Sequence, residues 1–155
     1  MFQIGFAFFN VEIIRGFNSN FVAIYSATSY LFGLPSKSKN PPIEILKIPV
    51  TTLKNHNKKV VIIQVDEDRA LARSSGFINT CHNMNIMVKS IGGYLSFPNG
   101  KSSSSNKTLA NLTIYNIINS SRKKELWCFA YHYSIWIYHQ TQNRLCCDVP
   151  YFLWN

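Results

Sequence analysis

The stretch Val60-Val-Ile-Ile-Gln-Val65 limits the possible folds more than any other. It is an almost unbroken β-branched run, set between Lys58-Lys59 and the acidic Asp66-Glu67-Asp68. A strand with one wet face would alternate apolar and polar residues. A run without that alternation reads as a strand buried on both faces, which places it inside a parallel or mixed sheet. It is the expected central strand.

The segments before it supply the partners. Phe2 to Phe9 is a short aromatic-rich apolar run, and Gly16-Phe-Asn-Ser-Asn20 provides turn residues ahead of Phe21-Val-Ala-Ile-Tyr25. Tyr30-Leu-Phe-Gly-Leu34 follows directly, so these three runs read as strands of an antiparallel meander. Lys37-Ser-Lys-Asn-Pro-Pro42 breaks the pattern, and Pro41 or Pro42 suits the first turn of a helix. The apolar spacing Ile43, Leu46, Val50, Leu53 predicts that helix, with Pro49 expected to kink or split it.

After the central strand, Gly76 to Asn83 is compatible with a short helix and Asn85 to Val88 with a last strand near a sheet edge. Ile91-Gly-Gly-Tyr-Leu-Ser-Phe-Pro-Asn-Gly100 reads as a loop. Helical order is expected again from near Asn106 to about Asn119–Ser121, with Ala110, Ile114, Ile117 and Ile118 as its apolar stripe. Trp127, Ala130, Tyr131, Ile135 and Tyr138 mark one more amphipathic helix. The fold class is therefore α/β: a mixed central sheet of three antiparallel strands plus parallel strands, flanked by helices.

With 155 residues, 46% hydrophobic and 15% charged, the chain reads as one globular domain over 1–155, ending in an extended tail from about 142 to 155. Its formal net charge is +9, from 16 Lys and Arg against 7 Asp and Glu. Such a field favours polyanionic partners, chiefly nucleic acid; the plainer reading is a solvated basic surface. No pair among Cys81, Cys128, Cys146 and Cys147 has the spacing of a structural zinc site, and they read as reduced thiols. Cys128 and His132 would share a helical face, a weak metal or nucleophile pair without further ligands.

Sequons at Asn106, Asn111 and Asn119 would matter only in a secreted chain. The N-terminal run lacks a basic leader and a cleavage site, so it reads as a buried strand rather than a signal peptide. The apolar run from Leu126 to Tyr138 is too short for a bilayer core of about 30 Å, and no membrane span is expected.

Several local motifs then fall in one order. Gln3-Ile-Gly-Phe6 opens the chain, and Val22-Ala-Ile-Tyr-Ser-Ala-Thr-Ser-Tyr30 follows. Gln64-Val-Asp-Glu-Asp-Arg-Ala-Leu-Ala-Arg-Ser-Ser-Gly-Phe77 comes next, then Asn99-Gly-Lys-Ser-Ser-Ser-Ser-Asn-Lys-Thr-Leu109. Leu126-Trp-Cys-Phe-Ala130, Ile137-Tyr-His-Gln-Thr141 and Val149-Pro-Tyr-Phe-Leu-Trp154 close it. Together they resemble the catalytic core of copia-type retrotransposon and retroviral integrases, a ribonuclease H-like fold, over nearly the whole chain. The family's form of the fourth motif is Asn-Gly-x-x-Glu-Arg-x-Asn-Arg-Thr-Leu, and the third resembles the segment around the family's second Asp, often written Thr-Asp-Asn-Gly-x-x-Phe. The family's zinc module lies outside the resemblance.

The resemblance implies a reaction on DNA ends run by two magnesium ions about 3.5–4 Å apart, held by three carboxylates. In this sequence the matching positions are Gly5, Asp66 and Ser103, so Asp66 is the one remaining catalytic and metal-ligand candidate. Glu67, Asp68 and Glu12 are too near it in sequence or too far along the first hairpin to replace the other two. Ser102 to Ser105 read as a flexible linker or a helix N-cap. Lys101 and Lys107 correspond to basic residues that approach DNA in the family, and otherwise read as a solvated helix face. Tyr94 and Phe97 would stack on a base or pack their own loop.

The expectation is an inactive integrase-like core with weak electrostatic affinity for DNA and, as in the family, a possible homodimer. The alternative is a non-catalytic basic domain for nucleic-acid or protein binding.

Overall fold

The computed structural model describes residues 1–8, 16–37, 43–66, 71–91 and 100–140. Five strands form one sheet: β1 (Phe2–Phe8), β2 (Ser19–Tyr25), β3 (Tyr30–Ser36), β4 (Ile62–Asp66) and β5 (Met87–Ile91), in the order β3-β2-β1-β4-β5. β1, β2 and β3 are antiparallel neighbours, whereas β4 runs parallel to both β1 and β5. The mixed α/β class expected from the sequence is the observed one. β1 holds the middle of the sheet; β4, expected there, is the interior strand beside it, with Ile63 and Val65 buried.

The helices are α1 (Ile43–Asn55), α2 (Ser75–Asn83), α3 (Gly100–Asn119) and α4 (Trp127–Gln140), the last preceded by a 3-10 turn at Lys124–Leu126. Two of them feed parallel strands by the same device. At the end of α1 the Lys58 amide donates to the Leu53 carbonyl at 2.9 Å, around Asn57 at φ +55°. At the end of α2 the Ile86 amide donates to Cys81 at 2.8 Å, around Asn85 at φ +57°. Each is a left-handed stop closing the last carbonyls, and Asn tolerates that backbone better than most residues. α2 starts on a side-chain cap, with Ser74 Oγ accepting from the Phe77 amide at 3.3 Å.

Pro49 does not split α1 as expected. The helix runs through it, and the ring is buried in line with Leu46 and Leu53. The lost backbone bond is offset by apolar burial on the inward face. The Pro41–Pro42 helix start lies outside the described residues.

Strand alternation divides the core. Phe2, Ile4, Phe6, Phe21, Ala23, Ile63 and Val65 project to one face, where Leu46 and Leu53 of α1 and Phe77 and Cys81 of α2 cover them. Val22, Ile24 and Leu31 project to the other and pack on Leu109 of α3 and on Trp127 and Tyr131 of α4. α4 comes very close to β3: a Cβ at Gly33 would run into the Ile135 side chain and come within 2.9 Å of Tyr131.

The inward stripe of α3 differs from the expected one. Ser105, Leu109 and Thr113 are buried, whereas Ile114 and Ile118 are exposed. Thr113 Oγ1 donates to the Leu109 carbonyl at 2.7 Å, Ser134 Oγ donates to the Ala130 carbonyl at 2.7 Å, and the two hydroxyl oxygens lie 3.3 Å apart. Asn116 Nδ2 donates to Ser134 Oγ at 3.0 Å. Because α4 brings these partners, polar side chains are the ones that fit between the two helices.

Candidate functional site

The site implied by the sequence depends on how β1, β4 and α3 meet. β1 and β4 are in parallel register, Phe2 beside Ile63 and Gln3 beside Gln64. Continuing that register sets Gly5 beside Asp66, the last residue of β4. By strand alternation Gly5 belongs to the face that α3 and α4 cover, since it pairs with Val22, which packs there. On that face sit Gln3 and Gln64, 5% and 4% exposed. The sequence reading missed this buried pair of amides, because a glutamine inside an apolar run carries no signal of its own.

α3 lies against β1 and β2 and contains the third expected position. Its backbone is already helical at Gly100, so Ser102 to Ser105 are neither a flexible linker nor a cap but part of the helix. Ser105 is buried, its hydroxyl 2.9 Å from that of Tyr138 on α4. Lys107 is exposed on α3. The side chains of Asp66, Lys101 and Ser103 lie outside the described residues, as do Glu12, Glu67, Asp68, Tyr94 and Phe97 altogether. The tail from 142 to 155, with Cys146 and Cys147, lies outside them too.

α4 ends on a contact that the sequence did not reveal. His139 is 9% exposed; its ring stacks on Tyr30 with centroids 4.1 Å apart, and its Nε2 lies 3.0 Å from the Leu31 carbonyl oxygen and 3.3 Å from the Leu31 nitrogen. β3 is an edge strand, so the imidazole occupies backbone groups that another chain would otherwise pair with. Burial lowers the His139 pKa below the usual histidine value, and the backbone bond to Leu31 partly opposes this.

The cysteines offer little chemistry. Cys81 is fully buried and burial pushes its thiol up to about 11, which keeps it protonated and unreactive. Cys128 and His132 share α4, but among the described residues no group of three His, Cys, Asp or Glu side chains gathers to hold a metal.

This architecture has solved counterparts. A chain of the simian T-cell lymphotropic virus intasome in complex with the PP2A regulatory subunit B56 gamma aligns over 99% of this chain and 53% of its own, with a TM-score of 0.76 at 15% identity. The HTLV-2 integrase catalytic core domain in complex with magnesium, in its trimeric form, aligns over 99% and 95%, with a TM-score of 0.73 at 12% identity. The catalytic core domain of BIV integrase gives 99%, 91%, 0.70 and 10%.

The fold is that of a retroviral integrase catalytic core.

The chain thus spans about half of the intasome chain and nearly all of the isolated cores. No family model matches its sequence, and no curated protein matches it. Among the described residues, no helix is long and apolar enough to cross a membrane.

Proposed function

We propose that the chain is a copia-type integrase core domain, 1–155 with its tail from about 142, that no longer carries out metal-dependent DNA transfer. The observation that carries this is the register of β1 and β4. Phe2 pairs with Ile63 and Gln3 with Gln64, a register that, continued, supports the reading of Gly5 and Asp66 as two neighbouring positions, one of which lacks a carboxylate. The third position, in the first turn of α3, is Ser103. A glycine offers no side-chain donor, and a neutral hydroxyl is short and uncharged. The donor set does not fit two magnesium ions, which need carboxylates from separate segments, and no catalytic step follows from these residues.

DNA binding remains in the reading, weak and electrostatic, through Lys101 and Lys107 on α3 and the net charge of +9. Self-association is part of it as well, by analogy with the trimeric and dimeric forms of the HTLV-2 core. A second reading, a non-catalytic binding domain for nucleic acid or protein, is favoured by the exposed apolar side chains along α3 and α4.

The test is restoration of the two carboxylates. Wild-type protein is expected to show no magnesium-dependent strand transfer on model DNA ends and no magnesium heat by calorimetry. The double variant Gly5→Asp, Ser103→Glu is expected to bind magnesium measurably. Activity in the wild type that depends on Asp66 would refute the reading, and absence of metal binding in the folded double variant would refute the assigned positions.

A further inference from the structure

α4 meets the edge strand β3 along one stripe. Tyr131, Ile135 and His139 recur every fourth residue and so share a face of the helix. Tyr131 and Ile135 press on Gly33, where even a Cβ would collide with them. His139 makes the last contact, one residue before α4 ends, with its ring against Tyr30 and its Nε2 at Leu31. Packing holds the first two contacts, and only the third rests on an imidazole, a group that titrates near neutral pH.

The contact ties together two weak places. The last carbonyls of a helix have no partner within it, so a terminal turn opens easily unless something outside holds it. β3, for its part, pairs with β2 alone among the described strands. Leu31 turns its N–H and C=O outward to the imidazole, 3.3 and 3.0 Å from Nε2. Pro35, four residues on and on the same side of the strand, has no N–H to offer. His139 and Pro35 thus blunt this edge, and His139 alone does so reversibly.

A neutral imidazole bonds to Leu31 in either tautomer, accepting from its N–H or donating to its C=O through Nε2. The imidazolium has no acceptor left for the N–H, and its charge would lie in a site only 9% exposed. The titratable groups against the ring are the phenols of Tyr30 on β3 and Tyr138 on α4, and behind Tyr138 α3 brings the Ser105 hydroxyl, 2.9 Å from the phenol oxygen. Among the described residues no carboxylate pairs with the ring. Burial, which disfavours the charged form, outweighs the Leu31 bond, which favours it.

We propose that His139 is an acid-released latch: neutral, it ties the last turn of α4 to the edge of β3 at Leu31, and protonated, it lets go, freeing that turn and the Leu31 backbone while Tyr131 and Ile135 keep the rest of α4 docked. The proposal stands apart from the integrase reading, since it uses none of the carboxylate positions.

Amide hydrogen exchange of the isotope-labelled full chain, followed by NMR from neutral to mildly acid pH and corrected for the intrinsic pH dependence of exchange, tests it. A released ring titrates near 6.5, so protection of the Leu31 amide and of the last α4 amides is expected to be complete above about that value, to fall by up to about tenfold per pH unit below it, and to level off once the latched ring is itself charged. The Phe21 and Ile63 amides, inside the sheet, are expected to keep their protection over the same range. His139→Gln, which still bonds but cannot titrate, should make Leu31 protection independent of pH. His132→Gln, which removes the other α4 histidine whose pKa burial lowers, should leave the wild-type profile unchanged. Loss of protection at Phe21 and Ile63 in step with Leu31 would mean global acid unfolding and would overturn the proposal. So would Leu31 protection that is flat or rises on acidification, a dependence that persists in His139→Gln, or one that His132→Gln abolishes. The wild-type profile decides alone should His139→Gln not fold.

Discussion

The two faces of the sheet are packed by different chemistry. Towards α1 and α2 the buried side chains are almost wholly apolar: Phe2 sets its ring edge-on to Tyr25 and Phe32 at 5.8 and 5.9 Å, and Phe6 does the same to Phe21 at 5.8 Å. Towards α3 and α4 the apolar cluster is smaller, and it is bordered by buried Gln3, Gln64, Ser105, Thr113, Ser134 and His139. The first face holds by area and interlocking shape. The second holds partly by satisfied polar contacts, which set register and orientation more than they add stability. Gly5, which pairs with Val22, belongs to the second face, as does the α3–α4 hairpin. Apolar packing on one side thus anchors a sheet whose other side is free to carry polar and charged positions.

Truncating each face in turn would sharpen or break this contrast. Phe2→Ala removes a fully buried ring from the apolar face and is expected to cost about 3–5 kcal/mol in chemical denaturation; a loss below about 1 kcal/mol would mean that this face does not dominate stability. Ser134→Ala, on the polar face, leaves Asn116 without its acceptor and is expected to cost about 1–2 kcal/mol. A larger loss there than from Phe2→Ala would reverse the comparison.

The smallest expected effect is one of pH. His139 is held neutral by burial, its folded pKa below the unfolded value of about 6.5. The unfolded chain therefore takes up the proton first, so the contribution is complete above that value and declines as pH falls below it. His132, also lowered by burial, adds in the same direction. Melting temperature is expected to drop on acidification from neutral pH, and His139→Gln, which cannot titrate, to flatten that dependence. A melting temperature that rose on acidification would show that the imidazole is charged in the fold.

What the sequence determined by itself was local. The β-branched run at 60–65, the turn residues around Gly16 and the helical spacing of Leu46 and Leu53 each act within a few residues, and the resulting elements lie close to where they were expected. The proposed positions Gly5, Asp66 and Ser103 likewise come from motif order in the sequence alone, and the restoration of the two carboxylates is their test.

Tertiary structure decided what depends on partners distant in sequence. Pro49 stays inside a helix because the core accepts its ring. α3 turns Ser105 and Thr113 inward, and Ile114 and Ile118 outward, because Tyr138 and Ser134 of α4 wait on the inner side. Helical periodicity ranks apolar residues as if every interior were oil. Here a serine and a threonine bury better than two isoleucines, since hydrogen-bond partners more than thirty or twenty residues away remove the cost of desolvating them.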